Sequence, residues 1–217
     1  MLQSEPAWPA RHVPETKSRE GMTSIEVAER LSERGTLDRD FILARFRGFV
    51  RRNYVTPAGL YVGDKKKAYL YGLPETFIGG VLSRLCDAGF NDSGVMLAAS
   101  HALTSFAVED FPDGPPFLHA SPTTRAASPA AVVLDAYAVG ARGWMLDVAC
   151  FRHPDHPNPV SRARIRNQII KGPNGEPTGT DFRPSEGFVL RSTHVVPLDD
   201  VLRALFDVAP RPGEAVH

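Results

Sequence analysis

The sequence predicts an α+β protein, an N-terminal winged helix-turn-helix followed by a small α+β C-terminal domain. Three observations lead there. Apolar residues recur at helical spacing in residues 24–53 and 73–110, whereas residues 143–151 and 187–196 read as strands. A glycine break separates the first two helices, and a basic, turn-rich segment follows the second. Finally, residues 38–71 hold eight Lys/Arg against three Asp/Glu, a local +5 in a chain of formal net charge zero. Charge clustered on one segment is the electrostatic footprint that nucleic acid demands. Residues 73–217 compensate with 12 Lys/Arg and 16 Asp/Glu.

At 217 residues and 42% hydrophobic, the chain has room for one large or two small cores. Composition divides it into a disordered tail (1–21), a winged-helix domain (22–110), a proline-rich linker (111–129), an α+β effector or dimerisation domain (130–208) and a tail (209–217). Cys86 and Cys150 are the two cysteines, both in apolar settings that predict burial. They form no disulfide framework, which suits a reducing cytoplasm. No run approaches 18 apolar residues and the N-terminus lacks a signal peptide's build. The expectation is a cytoplasmic protein with no membrane partner.

Taken in order, Thr23 and Ser24 are N-cap candidates for a first helix whose stripe is Ile25, Ala28 and Leu31. Glu26 and Glu29 stand in its first turns, where the helix dipole favours acid. Arg34, Gly35 and Thr36 break it, and Asp38 or Thr36 caps a second helix running to about Asn53. In that helix Ile42, Phe46, Phe49 and Val50 share one face, while Arg47 and Arg51 project opposite, flanked by Arg45 and Arg52. Ala44 and Gly48 keep the arginine face low. Residues 55–59 turn into a hairpin whose second strand is led by Lys65, Lys66 and Lys67 and carries Tyr69.

A third helix opens at Leu73 with Pro74 in its first turn, buries Phe77, Ile78, Val81, Leu82 and Leu85, and stops at Gly89. Asn91 or Asp92 caps a fourth, small-residue helix that contains His101. Beyond the linker, residues 130–139 lean helical, 143–151 form a buried strand, and 160–171 fit a strand or a helix. Residues 187–196 alternate as a strand, and a last helix carries Val201, Leu202, Leu205 and Phe206.

Residues 22 to about 90 resemble the DNA-binding domain of the MerR family of transcription regulators, a module also seen in small phage excisionases. The resemblance rests on SIEVAERL in the first helix, RFRGFVRRNYVTP across the second helix and the turn after it, and YLYGLPETFIGGVLSRLCDAGF beyond the hairpin. Phe46, Arg47 and Phe49 match the family's Leu, its phosphate-contacting Arg and its second aromatic; Val55 and Pro57 match the turn. Gly48 stands where the family has a DNA-contacting Tyr, the segment before Arg47 is several residues longer, and no long heptad helix follows for a coiled-coil dimer.

The resemblance and the basic segment together imply a sequence-specific transcription regulator whose partner is double-stranded DNA. Its contacts would be Arg45, Arg47, Arg51, Arg52, Lys65, Lys66, Lys67 and Tyr69. An excisionase-like architectural or recombination accessory protein is the alternative, and an enzyme with its chemistry in residues 130–207 is a third reading. Lacking the heptad helix, the chain is expected to form any homodimer through its C-terminal half, around residues 95–106 or 144–151, or else to act with a protein partner. No enzyme signature and no cofactor motif is present. His153, Asp155 and His156 are metal-ligand types, but Pro154 and Pro157 keep them off a helix face, so a solvated loop is expected. Arg162, Arg164 and Arg166 recur at period two, either a second nucleic-acid contact or a solvated strand edge.

Overall fold

The computed structural model describes residues 13–32, 38–63, 67–105, 128–167, 182 and 186–206. Over these the protein is α+β, with six helices and two three-stranded sheets. The N-terminal part comprises β1 (Glu15–Thr16), α1 (Ser24–Ser32), α2 (Arg39–Arg51), β2 (Gly59–Val62), β3 (Lys67–Leu70), α3 (Leu73–Asp87) and α4 (Ser93–Thr104). The remainder comprises α5 (Pro129–Ala138), β4 (Trp144–Arg152), β5 (Val160–Asn167), β6 (Val189–Pro197) and α6 (Asp199–Phe206).

α1 starts on a reciprocal cap: the Glu26 N–H donates to Thr23 Oγ1 at 3.4 Å and the Thr23 N–H donates to Glu26 Oε2 at 2.7 Å. Its buried face differs from the expected stripe. Val27 and Ala28 are fully buried, Leu31 is partly so, and Ile25 is 45% exposed. α1 packs against α2, α3 and α6 at once, and the face that serves all three centres on Val27. α2 follows Asp38, whose carbonyl accepts the Ile42 N–H at 3.1 Å. It ends at Arg51, and Asn53 takes the left-handed conformation (φ 59°) that turns the chain toward the hairpin.

β2 and β3 pair antiparallel, and β1 joins the outer edge of β2 in parallel. The expected tail over residues 1–21 therefore contributes a strand: the Leu60 N–H donates to Pro14 O at 2.9 Å, satisfying edge backbone that would otherwise need water. Met22 and Tyr71 then exchange both backbone hydrogen bonds at 2.8 Å, which clamps the start of α1 to the end of the hairpin.

α3 lies at the centre. Gly72 donates its N–H to Glu75 Oε2 at 2.7 Å at one end, and Gly89 (φ +88°) closes the other. Phe77, Ile78, Val81, Leu82 and Leu85 are all buried, and α3 packs on α1, α2, α4, α5 and α6. α4 is capped by the Asp92 carboxylate, which accepts from the N–H groups of Gly94 and Val95. It ends at Thr104, and residues 106–110 of the longer helix expected lie outside the described residues. The second sheet has the order β5-β4-β6, antiparallel throughout, so residues 160–167 are a strand.

Buried residues from Val27 to Leu205 form one cluster that spans both sides of residues 111–127. The two surfaces expected to pair copies of the chain are spent inside it. Val95, Met96, Ala99 and Leu103 of α4 and Trp144, Leu146 and Val148 of β4 are buried in that cluster, and α4 packs on β4 and β5 as well as on α3 and α5. The reason is geometric: β4 is the central strand, so its apolar run is covered rather than displayed. The Asp199 carboxylate accepts from the Gly143 and Trp144 N–H groups at 2.6 and 3.0 Å, tying the start of α6 to the start of β4. Among the described residues no helix is long and apolar enough to cross a membrane.

One position shows how tightly the helices meet. A Cβ added at Gly79 of α3 would lie 2.7 Å from two ring carbons of Phe46, which is itself 1% exposed. Alanine at a helical glycine ordinarily gains about 1 kcal/mol, but overpacking a close-packed core costs about 1–3 kcal/mol. Gly79→Ala should therefore lower unfolding stability, by up to about 2 kcal/mol, in a urea titration. A stabilised variant would show that Phe46 has room to move.

Candidate nucleic-acid interface

α2 has a two-sided composition, and its inner side decides where the outer side points. Ile42, Phe46 and Phe49 are buried and Val50 is partly so. The Phe46 ring meets Tyr71 edge-on, with centroids 4.9 Å apart and planes at 80°. Tyr71 ends the hairpin, so this contact sets the hairpin's position against α2. Turning α2 by half a circle from Phe46 brings up Phe41, Ala44, Arg47, Arg51 and Arg52, all exposed.

Arg47 and Arg51 of α2 line a groove of about 320 Å³ together with Val50, with Thr23 and Ser24 at the start of α1, and with Ala68, Tyr69 and Tyr71 of the hairpin. Tyr69 is 51% exposed. Burial pushes the Tyr71 phenol up to about 12; the neighbouring Tyr69 raises it further and the Arg47 cation opposes the rise. Three of the sequence-predicted residues, Arg47, Arg51 and Tyr69, thus share one concave surface. Arg52 and Lys67 are exposed nearby; Arg52 lies across Gly48, whose added Cβ would sit 3.4 Å from its Nη1. Lys65 and Lys66 lie outside the described residues.

Arg45 is placed differently. Its Nη1 donates to Asp87 Oδ1 at 2.6 Å and to Ser83 O at 3.2 Å, and its guanidinium sits 4.5 Å from the centroid of the Phe41 ring. Only 17% of its side chain is exposed. It fastens α2 to α3, because α3 ends with an acid within its reach. Thr23, Ser24 and Tyr71 are groove residues that the sequence did not mark. They arrive through the Met22–Tyr71 bridge, a pairing across 49 positions that no local pattern announces.

The remaining candidates lie on the second sheet. The His153 and His156 rings stand 4.9 Å apart, and His156 stacks on Phe188. His153 Nδ1 accepts the Asp155 N–H at 3.1 Å, and among the described residues no three ligand-type side chains converge. Arg162, Arg164 and Arg166 share the face of β5 turned away from α4. Arg166 pairs with the buried Asp147 at 2.5 Å, Arg164 lies over Phe182 and Arg162 over Phe151. Cys86 and Cys150, expected to be buried, are half-buried, and burial raises the Cys86 thiol above its usual range. No family model, no curated protein and no solved structure matches the chain.

Two outcomes follow from this geometry. Arg45→Ala should reduce stability by about 1.5 kcal/mol, the lower end of the range for hydrogen bonds to charged groups, as read in urea; an unaltered midpoint would mean the α2–α3 contact does not need it. Tyr71 titrates at about 12 in the folded chain against about 10 when unfolded. Its contribution is complete below pH 10 and disappears as pH rises toward 12. Thermal unfolding of Tyr71→Phe should consequently decline less steeply than wild type across that window, and parallel curves would refute the burial of the phenol.

Proposed function

We propose that the protein is a sequence-specific DNA-binding transcription regulator, with α2 as recognition helix, β2–β3 as wing and the C-terminal half as an interaction or effector part. The observation that carries this reading is the shared groove. Arg47 and Arg51, one turn apart on the exposed side of α2, face the same concave surface as Tyr69 of the hairpin. A major groove about 12 Å wide admits one α-helix. A basic hairpin beside that helix reaches the flanking phosphates, the division of labour in winged DNA readers. The order α1, α2, β2–β3 and the burial of the opposite side of α2 support the same reading. Arg45 contributes by bracing α2 rather than by touching DNA.

Selection of duplexes from a random pool by the full-length protein, followed by mobility shifts at controlled salt, tests the proposal. Arg47→Ala and Arg51→Ala should each weaken binding with little change in unfolding, since both side chains are exposed. A lost base contact should cost about 1–3 kcal/mol and relax preference at one position. Replacing Lys65, Lys66 and Lys67 by Ala should flatten log K against log salt by about 0.9 per phosphate contact removed. Wild-type affinity and slope in all three variants would overturn the assignment of helix and wing.

A further inference from the structure

The exposed side of α2 holds an apolar strip as well as charge. Phe41, Ala44 and Gly48 fall at i, i+3 and i+7, a single row along the helix. Phe41 is 48% exposed and Ala44 is exposed, whereas the neighbouring Ile42 is 4% exposed. The Phe41 ring is held from one side: the Arg45 guanidinium sits 4.5 Å from its centroid and is itself anchored on Asp87 at 2.6 Å and Ser83 O at 3.2 Å. The ring is thus presented by a fixed support. Gly48 adds no side chain of its own, and the Arg52 guanidinium lies across it, with Nη1 3.4 Å from the position of an added Cβ.

The charges around the row choose its partner. Arg47 and Arg51 stand on one flank and Arg52 on the other, all exposed. Asp40, beside Phe41, is ion-paired with Arg39 at 3.1 Å. A row of apolar groups between cations suits a polyanion that shows apolar groups in its groove. Duplex DNA does so at thymine, whose C5-methyl lies in the major groove and is read by Phe and Ala side chains.

Resting on the DNA-binding reading above, we propose that Phe41, with Ala44, is a specificity element of α2. It reads thymine methyl groups, so the preferred site carries thymines at the positions facing the N-terminal half of the helix. Arg47 and Arg51 hold the helix in the groove, and the apolar row selects the register.

The test compares thymine with deoxyuridine, which keeps every hydrogen-bonding edge and lacks only the methyl. Duplexes selected by the full-length protein are resynthesised with deoxyuridine at single thymine positions. Wild type should lose about fourfold in affinity at each position where a methyl is buried, the factor that one methyl-sized group supplies. Phe41→Ala should bind both duplexes alike, whereas Arg47→Ala should bind both more weakly and keep their ratio. Equal wild-type affinity for thymine and deoxyuridine duplexes, with sequence-selective binding intact, overturns the methyl reading and leaves the proposed function standing. Failure to select any duplex overturns both. The wild-type comparison needs no variant, and Phe41→Leu, which keeps an apolar side chain, should retain part of the discrimination should Phe41→Ala unfold.

Discussion

The close approach of α2 to α3 organises the N-terminal half. It depends on Gly79, and Gly80 beside it serves α1 and α6 in the same way, so that the pair leaves a trough along α3. The Phe46 ring fills the trough at Gly79, while Val201 of α6 and Leu31 of α1 reach Gly80. Side chains at either glycine would push the helices apart, and dispersion contacts fall away within an ångström. Phe46 also takes Tyr71 edge-on, so a single ring joins α2, α3 and the end of the hairpin. The exposed side of α2 owes its orientation to that junction.

Around it, polar contacts fix what packing alone leaves loose. Arg45 spans from α2 to the last turn of α3, and Met22 pairs with Tyr71. The Ser100 hydroxyl of α4 donates to Tyr54 O at 2.6 Å just after α2. Each bond joins elements remote in sequence and leaves Arg47 and Arg51 facing outward. Such support limits the ordering cost of any contact made on that face.

The C-terminal half belongs to the same core. α3 touches α5 and α6, and α4 covers β4 and β5. Through α3 and Phe46 these contacts make one contiguous packed body of the two halves. The sheet's outer face carries its own buried charge: Asp147 is 3% exposed and pairs with Arg166. An acid buried on a central strand needs that cation.

Much was legible from local pattern. Periodicity located α2, α3, β4 and β6, and residues such as Asp92 and Pro74 marked helix starts, because these signals act within four residues. The same rule placed Arg47 and Arg51 opposite Phe46. Tertiary structure decided the rest. It gave Arg45 to Asp87, exposed Ile25 in favour of Val27, paired residues 15–16 with β2, and buried the apolar runs of α4 and β4 inside the chain's own core. Each of these depends on a partner dozens of residues away. Helical phase says which side chains share a face; only the neighbours say what that face meets.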